Sequence, residues 1–137
     1  MRISQKLEYA CRALAQLSKR HDGRTITRLD ELAQREAISA NFLVQILNDL
    51  RRSGIIDSKR GKAGGYLLSR PPTEITLRQI VESVDPSLLH STISTDGESG
   101  SSVRDAWDSV FEEIRQRLDS ITLAQFGSHS GDPMFYI

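Results

Sequence analysis

Near the start of the chain Leu7, Ala10, Leu14 and Leu17 recur at three- and four-residue steps behind Ser4, which predicts an amphipathic helix capped by Ser4 and stopped by Gly23. A shorter run follows: Thr27 precedes Leu29, Leu32 and Ala33, and a helix is expected to about Ala37. Ser39 then opens a third, with Phe42, Leu43, Ile46, Leu47 and Leu50 on its inner face and Gly54 at its end. The link Glu36-Ala37-Ile38-Ser39 is too short for anything but a tight turn, so the second and third helices form a helix-turn-helix pair.

The pattern next changes to strands. Ile55 to Ser58 and Gly65 to Ser69 flank the basic, glycine-containing turn Lys59-Arg60-Gly61-Lys62-Ala63-Gly64, which predicts a β-hairpin wing. Thr76 caps a further helix through Leu77, Ile80, Val81 and Val84, ended by Asp85-Pro86. Ser91 to Ser102 holds little to bury and is expected to be a mobile loop.

From Val103 to about Gln125 a stripe of Val103, Trp107, Val110, Phe111, Ile114, Leu118 and Ile121 marks a helix of roughly 35 Å, at about 1.5 Å per residue. One small domain offers little surface to cover so long a stripe, which favours pairing with the same helix of a second chain. The apolar end Pro133-Met134-Phe135-Tyr136-Ile137 is expected to dock against the fold. The fold class is therefore mainly α with a small β-hairpin wing: a winged helix-turn-helix over 1–72, a connecting helix over 73–90, a loop over 91–102, and a dimerisation helix with tail over 103–137.

At 137 residues a large two-domain enzyme is excluded. The net charge of zero conceals a division: residues 1–72 hold 14 Lys and Arg against 7 Asp and Glu, a net +7, and residues 73–137 hold 4 against 11, a net −7. Such a split suggests one surface that attracts phosphates and another that faces away from them. No apolar run approaches a membrane span and no signal-peptide core is visible, so no membrane partner is expected and the chain reads as cytoplasmic. Cys11 is the only cysteine, which excludes an intrachain disulfide and fits a reducing compartment. His21, His90 and His129 are far apart in sequence, and neither a nucleophile motif nor a phosphate loop is present, so no catalytic residue is expected.

Recognition of double-stranded DNA needs a helix for the major groove, flanking cations for phosphates and a thin hairpin beside them. The helix opened by Ser39 would expose Ala40, Asn41, Val44, Gln45 and Asn48. Asn41 and Gln45 are suited to bidentate pairing with adenine, and Val44 to a thymine methyl. Arg51, Arg52, Lys59, Arg60 and Lys62 would meet phosphates, or for Arg60 a narrow minor groove, while Gly61, Gly64 and Gly65 allow close backbone approach. Duller readings stand beside these: solvated amides, arginines answering the helix dipole, and a Phe42 that serves the core alone.

Met1-Arg2-Ile3-Ser4 with Lys6, Tyr9 and Ala10, then Ile38-Ser39, Phe42-Leu43 and Leu47, resembles the Rrf-two family, the BadM/IscR-type regulators. Leu50-Arg51-Arg52-Ser53-Gly54-Ile55-Ile56, Lys59-Arg60-Gly61 and Gly64-Gly65-Tyr66-Leu67-Leu68 are similar to its strongest signature, which Glu74-Ile75-Thr76-Leu77, Ile80-Val81 and Ile121-Thr122-Leu123-Ala124 continue. The resemblance implies a homodimer with crossed long helices that binds an imperfect palindrome near promoters and represses transcription. It puts Ser39, Asn41, Phe42 and Gln45 on the recognition helix and Arg60, Gly61 and Gly64 to Tyr66 in the wing, with Arg2 and Lys6 as further DNA contacts.

Two departures matter. Val44 stands where several relatives have an acidic or polar reader, so their base preference does not transfer. Cluster-binding relatives carry three spaced cysteines where this chain has Leu89, Thr95 and Ser101, and nearby His90 and Arg104 cannot replace three thiolates. No metal, cluster or other cofactor is expected. The signal is then open: a small molecule between the wing-following helix and the long helix, a redox change at Cys11, or a regulatory protein that captures the dimer. An adaptor that kept the fold and lost operator binding is the alternative function.

Overall fold

The computed structural model describes residues 2–126; the docking expected for residues 133–137 lies outside them, as does His129. Among the described residues, five α-helices and a two-stranded hairpin surround one apolar core. Helix α1 (Gln5–Lys19) starts where the Ser4 side chain accepts a hydrogen bond from the Leu7 amide (3.1 Å), and it buries Leu7, Ala10, Ala13, Leu14 and Leu17. It ends before Gly23, whose positive φ lies in the following turn. Helix α2 (Leu29–Glu36) closes on Ala37 in the left-handed conformation, and α3 (Ala40–Arg52) begins three residues later behind the Ser39 cap. The tight turn between them is the one expected for a helix-turn-helix.

The antiparallel strands β1 (Ile56–Lys59) and β2 (Gly65–Leu68) pair Ile56 with Leu68 and Lys59 with Gly65. A capping box closes the start of α4 (Leu77–Val84): Thr76 accepts from the Gln79 amide while the Gln79 side chain accepts from the Thr76 amide. Leu14, Leu32, Leu43, Leu47, Ile56, Ile75, Ile80 and Leu89 are fully buried where these elements meet. Each stabilises the fold by about 1.5–3 kcal/mol relative to exposure.

Three local expectations are corrected. Thr27 does not cap α2: Arg28 holds that position without a side-chain cap bond, and Thr27 is buried in a two-way backbone bridge with Tyr66. The long helix α5 (Gly100–Asp119) takes in residues 100–102 of the expected loop and has 20 residues, about 30 Å of length. It also stops short of Ile121. The Ile121 carbonyl accepts from the Leu77 amide (2.8 Å), Thr122 bridges Thr76, and the Leu123 amide donates to the Ile75 carbonyl (2.8 Å), so the chain leaves the helix to pair beside the start of α4. The lower half of the stripe, Ile114 and Leu118, packs on the core.

Candidate nucleic-acid interface

Amphipathicity sets the orientation of α3. Its inner face buries Leu43, Ile46, Leu47 and Leu50, leaving Ala40, Asn41 and Gln45 exposed and Val44 and Asn48 partly so. Asn41 and Gln45 are one helical turn apart and share an outward face. Phe42 is half-buried, with its ring edge-on to Tyr9 at 5.6 Å between centroids, and the Arg12 guanidinium lies 5.2 Å from the Tyr9 ring. The ring therefore joins α3 to α1 and still reaches the surface.

The wing is fixed at its root. Thr27 donates its amide to the Tyr66 carbonyl (2.9 Å) and Tyr66 donates back (2.8 Å), so the segment before α2 adds a bridge to the outer edge of β2. Arg28 also donates to the Lys62 carbonyl (3.0 Å). Only at Gly61, with φ of 103°, does the turn need left-handed freedom. Gly64 and Gly65 serve the protein's own packing: a Cβ on Gly64 would sit 2.2 Å from the Lys59 carbonyl oxygen, and one on Gly65 would sit 2.5 Å from that of Thr27. Close approach was expected at these glycines, and here it is made to backbone.

Between α2 and the hairpin lies a concave surface of about 550 Å³ lined by Arg28, Lys59, Arg60, Lys62, Tyr66 and their neighbours. Arg2, Arg51, Lys59, Arg60 and Lys62 are exposed, and none has a carboxylate partner among the described residues. Charges left to solvent in this way are available to phosphates at no cost of breaking an internal pair. Two of the expected contacts differ. Lys6 lies 2.5 Å from Asp49 and Arg52 lies 2.5 Å from the same carboxyl group, whose pKa is held below the usual carboxylate range chiefly by the Lys6 hydrogen bond. Arg28 was missed by sequence reasoning; its signal was a cation at the mouth of α2, facing a hairpin that only the fold brings near.

On the acidic half, Val103, Trp107 and Val110 are 46, 50 and 44 % exposed, and Trp107 leans on Phe111 at 6.5 Å. The seven expected stripe residues thus divide: these three face outward, Phe111, Ile114 and Leu118 are half-buried, and Ile121 lies beyond the helix. Residues at the cluster positions do not suit iron. Leu89 is fully buried in the core, Thr95 and Ser101 are exposed hydroxyls, and no group of three His, Cys, Asp or Glu able to hold a metal ion occurs among the described residues. Cys11 is half-buried on α1, and burial pushes its thiol up to about 11, the opposite of a reactive thiolate. No helix among the described residues is long and apolar enough to cross a membrane.

Comparison with known proteins agrees with this fold. The family model of Rrf2, described as iron-dependent transcriptional regulator, matches residues 3–129. An HTH-type transcriptional regulator of Mycobacterium tuberculosis is 37% identical over 129 residues, covering 90% of this chain and 80% of the relative. The HTH-type transcriptional regulator CymR of Bacillus subtilis is 31% identical over 141 residues, the whole of both chains. The solved structure of that protein, described as the global cysteine regulator of B. subtilis, aligns with a TM-score of 0.80 at 30% identity over 95% of this chain and 98% of the other. The T. potens IscR structure aligns with a TM-score of 0.71 at 30% identity, over 99% and 97%.

Proposed function

Because the chain belongs to the Rrf2 family of DNA-binding transcriptional regulators, we propose that it represses transcription as a homodimer bound to a palindromic promoter site, without an iron–sulphur cluster. The observation that carries this reading is the set of exposed cations without a carboxylate partner among the described residues, Arg51, Lys59, Arg60 and Lys62, on either side of an α3 face that presents Asn41 and Gln45. In a major groove the amides read base edges, while the wing cations meet the adjacent backbone and fix the register. Arg2 at the start of α1 and Arg28 beside Lys62 extend the same positive surface.

The homodimer rests on the outward face of Val103, Trp107 and Val110, too apolar to be left in water at the end of a long helix. Two-fold pairing there would carry two copies of α3, which in turn asks for a site with matching symmetry. Independence from a cluster rests on donor chemistry: one cysteine, with a protonated thiol on a different helix from the loop, cannot supply soft ligands for iron.

The deciding experiment is selection of genomic fragments by the purified protein at moderate salt, since specific sites exceed nonspecific DNA by about a thousandfold or more. Enrichment of a palindrome upstream of genes that rise when the protein is deleted supports the repressor. Unselective retention of fragments overturns it and leaves an adaptor.

A further inference from the structure

Cys11 also borders a second feature. An apolar pocket of about 290 Å³, partly open to solvent, lies where α1, α4 and α5 meet, lined by Leu7, Cys11, Val81, Ile114, Leu118 and Phe126 among others, with no charged residue in its lining. Protein interiors are packed to crystal density and leave few voids larger than a water molecule. An apolar pocket of this size favours a hydrocarbon occupant, as polar partners to hold water are absent. Cys11 and Phe126 also line a second, open cavity of about 560 Å³, whose rim carries Arg12, Arg117 and Gln125. One thiol and one ring line both spaces.

The two rim arginines differ. Arg12 is committed to Glu8, at 3.3 Å, and to Glu36, at 3.4 Å, and donates to the Glu36 carbonyl as well. Arg117 has no carboxylate partner among the described residues; its guanidinium reaches only the Ser120 hydroxyl, at 3.3 Å. An apolar pocket beside a cation that has no carboxylate partner among the described residues suits an amphipathic anion. We propose that this cavity binds a medium-chain fatty carboxylate, its alkyl tail in the apolar chamber and its carboxylate on Arg117. The site would join α1, which holds α3 through Lys6 and Asp49, to α5, which carries the exposed apolar face. This placement makes the ligand the signal for the regulator proposed above, and it rests on that reading only for its consequence.

The test uses full-length protein and decanoate, with decanol as the uncharged probe of equal length. Modification of Cys11 by a thiol reagent at mildly alkaline pH is expected to slow about tenfold at saturating decanoate, because bound ligand occludes the sulphur by mass action. Decanoate is expected to bind about tenfold more tightly than decanol by calorimetry, and Arg117→Gln to abolish that preference while leaving decanol affinity unchanged, as befits one charge-assisted hydrogen bond. Equal affinities for acid and alcohol, or a Cys11 modification rate indifferent to decanoate, would overturn the proposal. Both readouts are made without DNA, so failure to select a palindrome leaves them intact, and failure of decanoate to bind leaves the repressor intact.

Discussion

The Lys6 ammonium lies 2.5 Å from the Asp49 carboxylate, so the first turn of α1 is held by an ion pair to the last turns of α3. Arg52 completes the cluster from the other side of the same carboxylate. Two cations that the sequence offered to DNA thereby share one carboxylate, which faces neither solvent fully nor the core.

Asp49→Asn is expected to loosen the fold and tighten DNA binding together. The pair is partly exposed, so its loss is expected to cost about 0.2–1 kcal/mol in urea unfolding. Since folding depresses the Asp49 pKa, its contribution is present above the unfolded carboxylate value, about 3.9, and is lost as pH falls through the lower folded value. Freed Lys6 and Arg52 are expected to steepen the salt dependence of DNA binding by about one to two phosphates' worth. An unchanged slope would leave both residues with a purely structural role.

Arg60→Ala is expected to weaken DNA binding uniformly across sequences if it meets phosphate, with the slope of log K against log salt shallower by about 0.9. Titration of one labelled site at four salt concentrations measures it. Unaltered affinity and slope would remove Arg60 from the interface.

Gly65→Ala places a methyl 2.5 Å from the Thr27 carbonyl oxygen, which is backbone and cannot swing aside. We expect a loss of about 1–3 kcal/mol in thermal or urea unfolding, the usual cost of an overpacked site. DNA binding should fall further than stability does, because the wing root itself must shift.

Trp107→Glu sets a charge in the centre of the exposed face of α5. Light scattering is expected to give the mass of one chain where the parent gives two, with the helical circular dichroism retained. A parent that is already monomeric, or a variant that remains dimeric, would place the self-association elsewhere.

Protein purified without oxygen is expected to be colourless and free of stoichiometric iron. Alkylation of Cys11 should accelerate with pH up to about 11 and not level off near 8.5, as an unburied thiol would. Visible absorbance with bound iron would reverse the donor argument.

The helices α1, α3 and α4 were legible because each has a hydroxyl cap ahead of an apolar repeat, and local and global preferences there agree. Ile121 misled because its spacing from Leu118 continues the helical stripe; its carbonyl is taken instead by Leu77, a partner 44 positions earlier that periodicity cannot indicate. Thr27 misled in the same way: a hydroxyl residue before an apolar run reads as a cap, yet tertiary pairing with Tyr66 claimed its backbone. Of the interface, the cations of the hairpin turn were visible as a cluster, whereas the capture of Lys6 and Arg52 by Asp49 depends on how α1 crosses α3. Arg28 and the Cys11 cavity were hidden for that reason also, since each is assembled from elements distant in the chain.

The end of α5 is clamped, by the pairing of residues 121–123 with 75–77 and by Arg78 on Asp119 at 2.8 Å, while Val103 to Val110 stand clear of the core. Substitutions on that free half therefore leave the folding of the reading head untouched. Were two copies to pair through this face, as proposed above, a few side chains at one end of a rod would set which chains pair, and mixed pairs with mismatched half-sites would be avoided without any change to the residues that touch DNA.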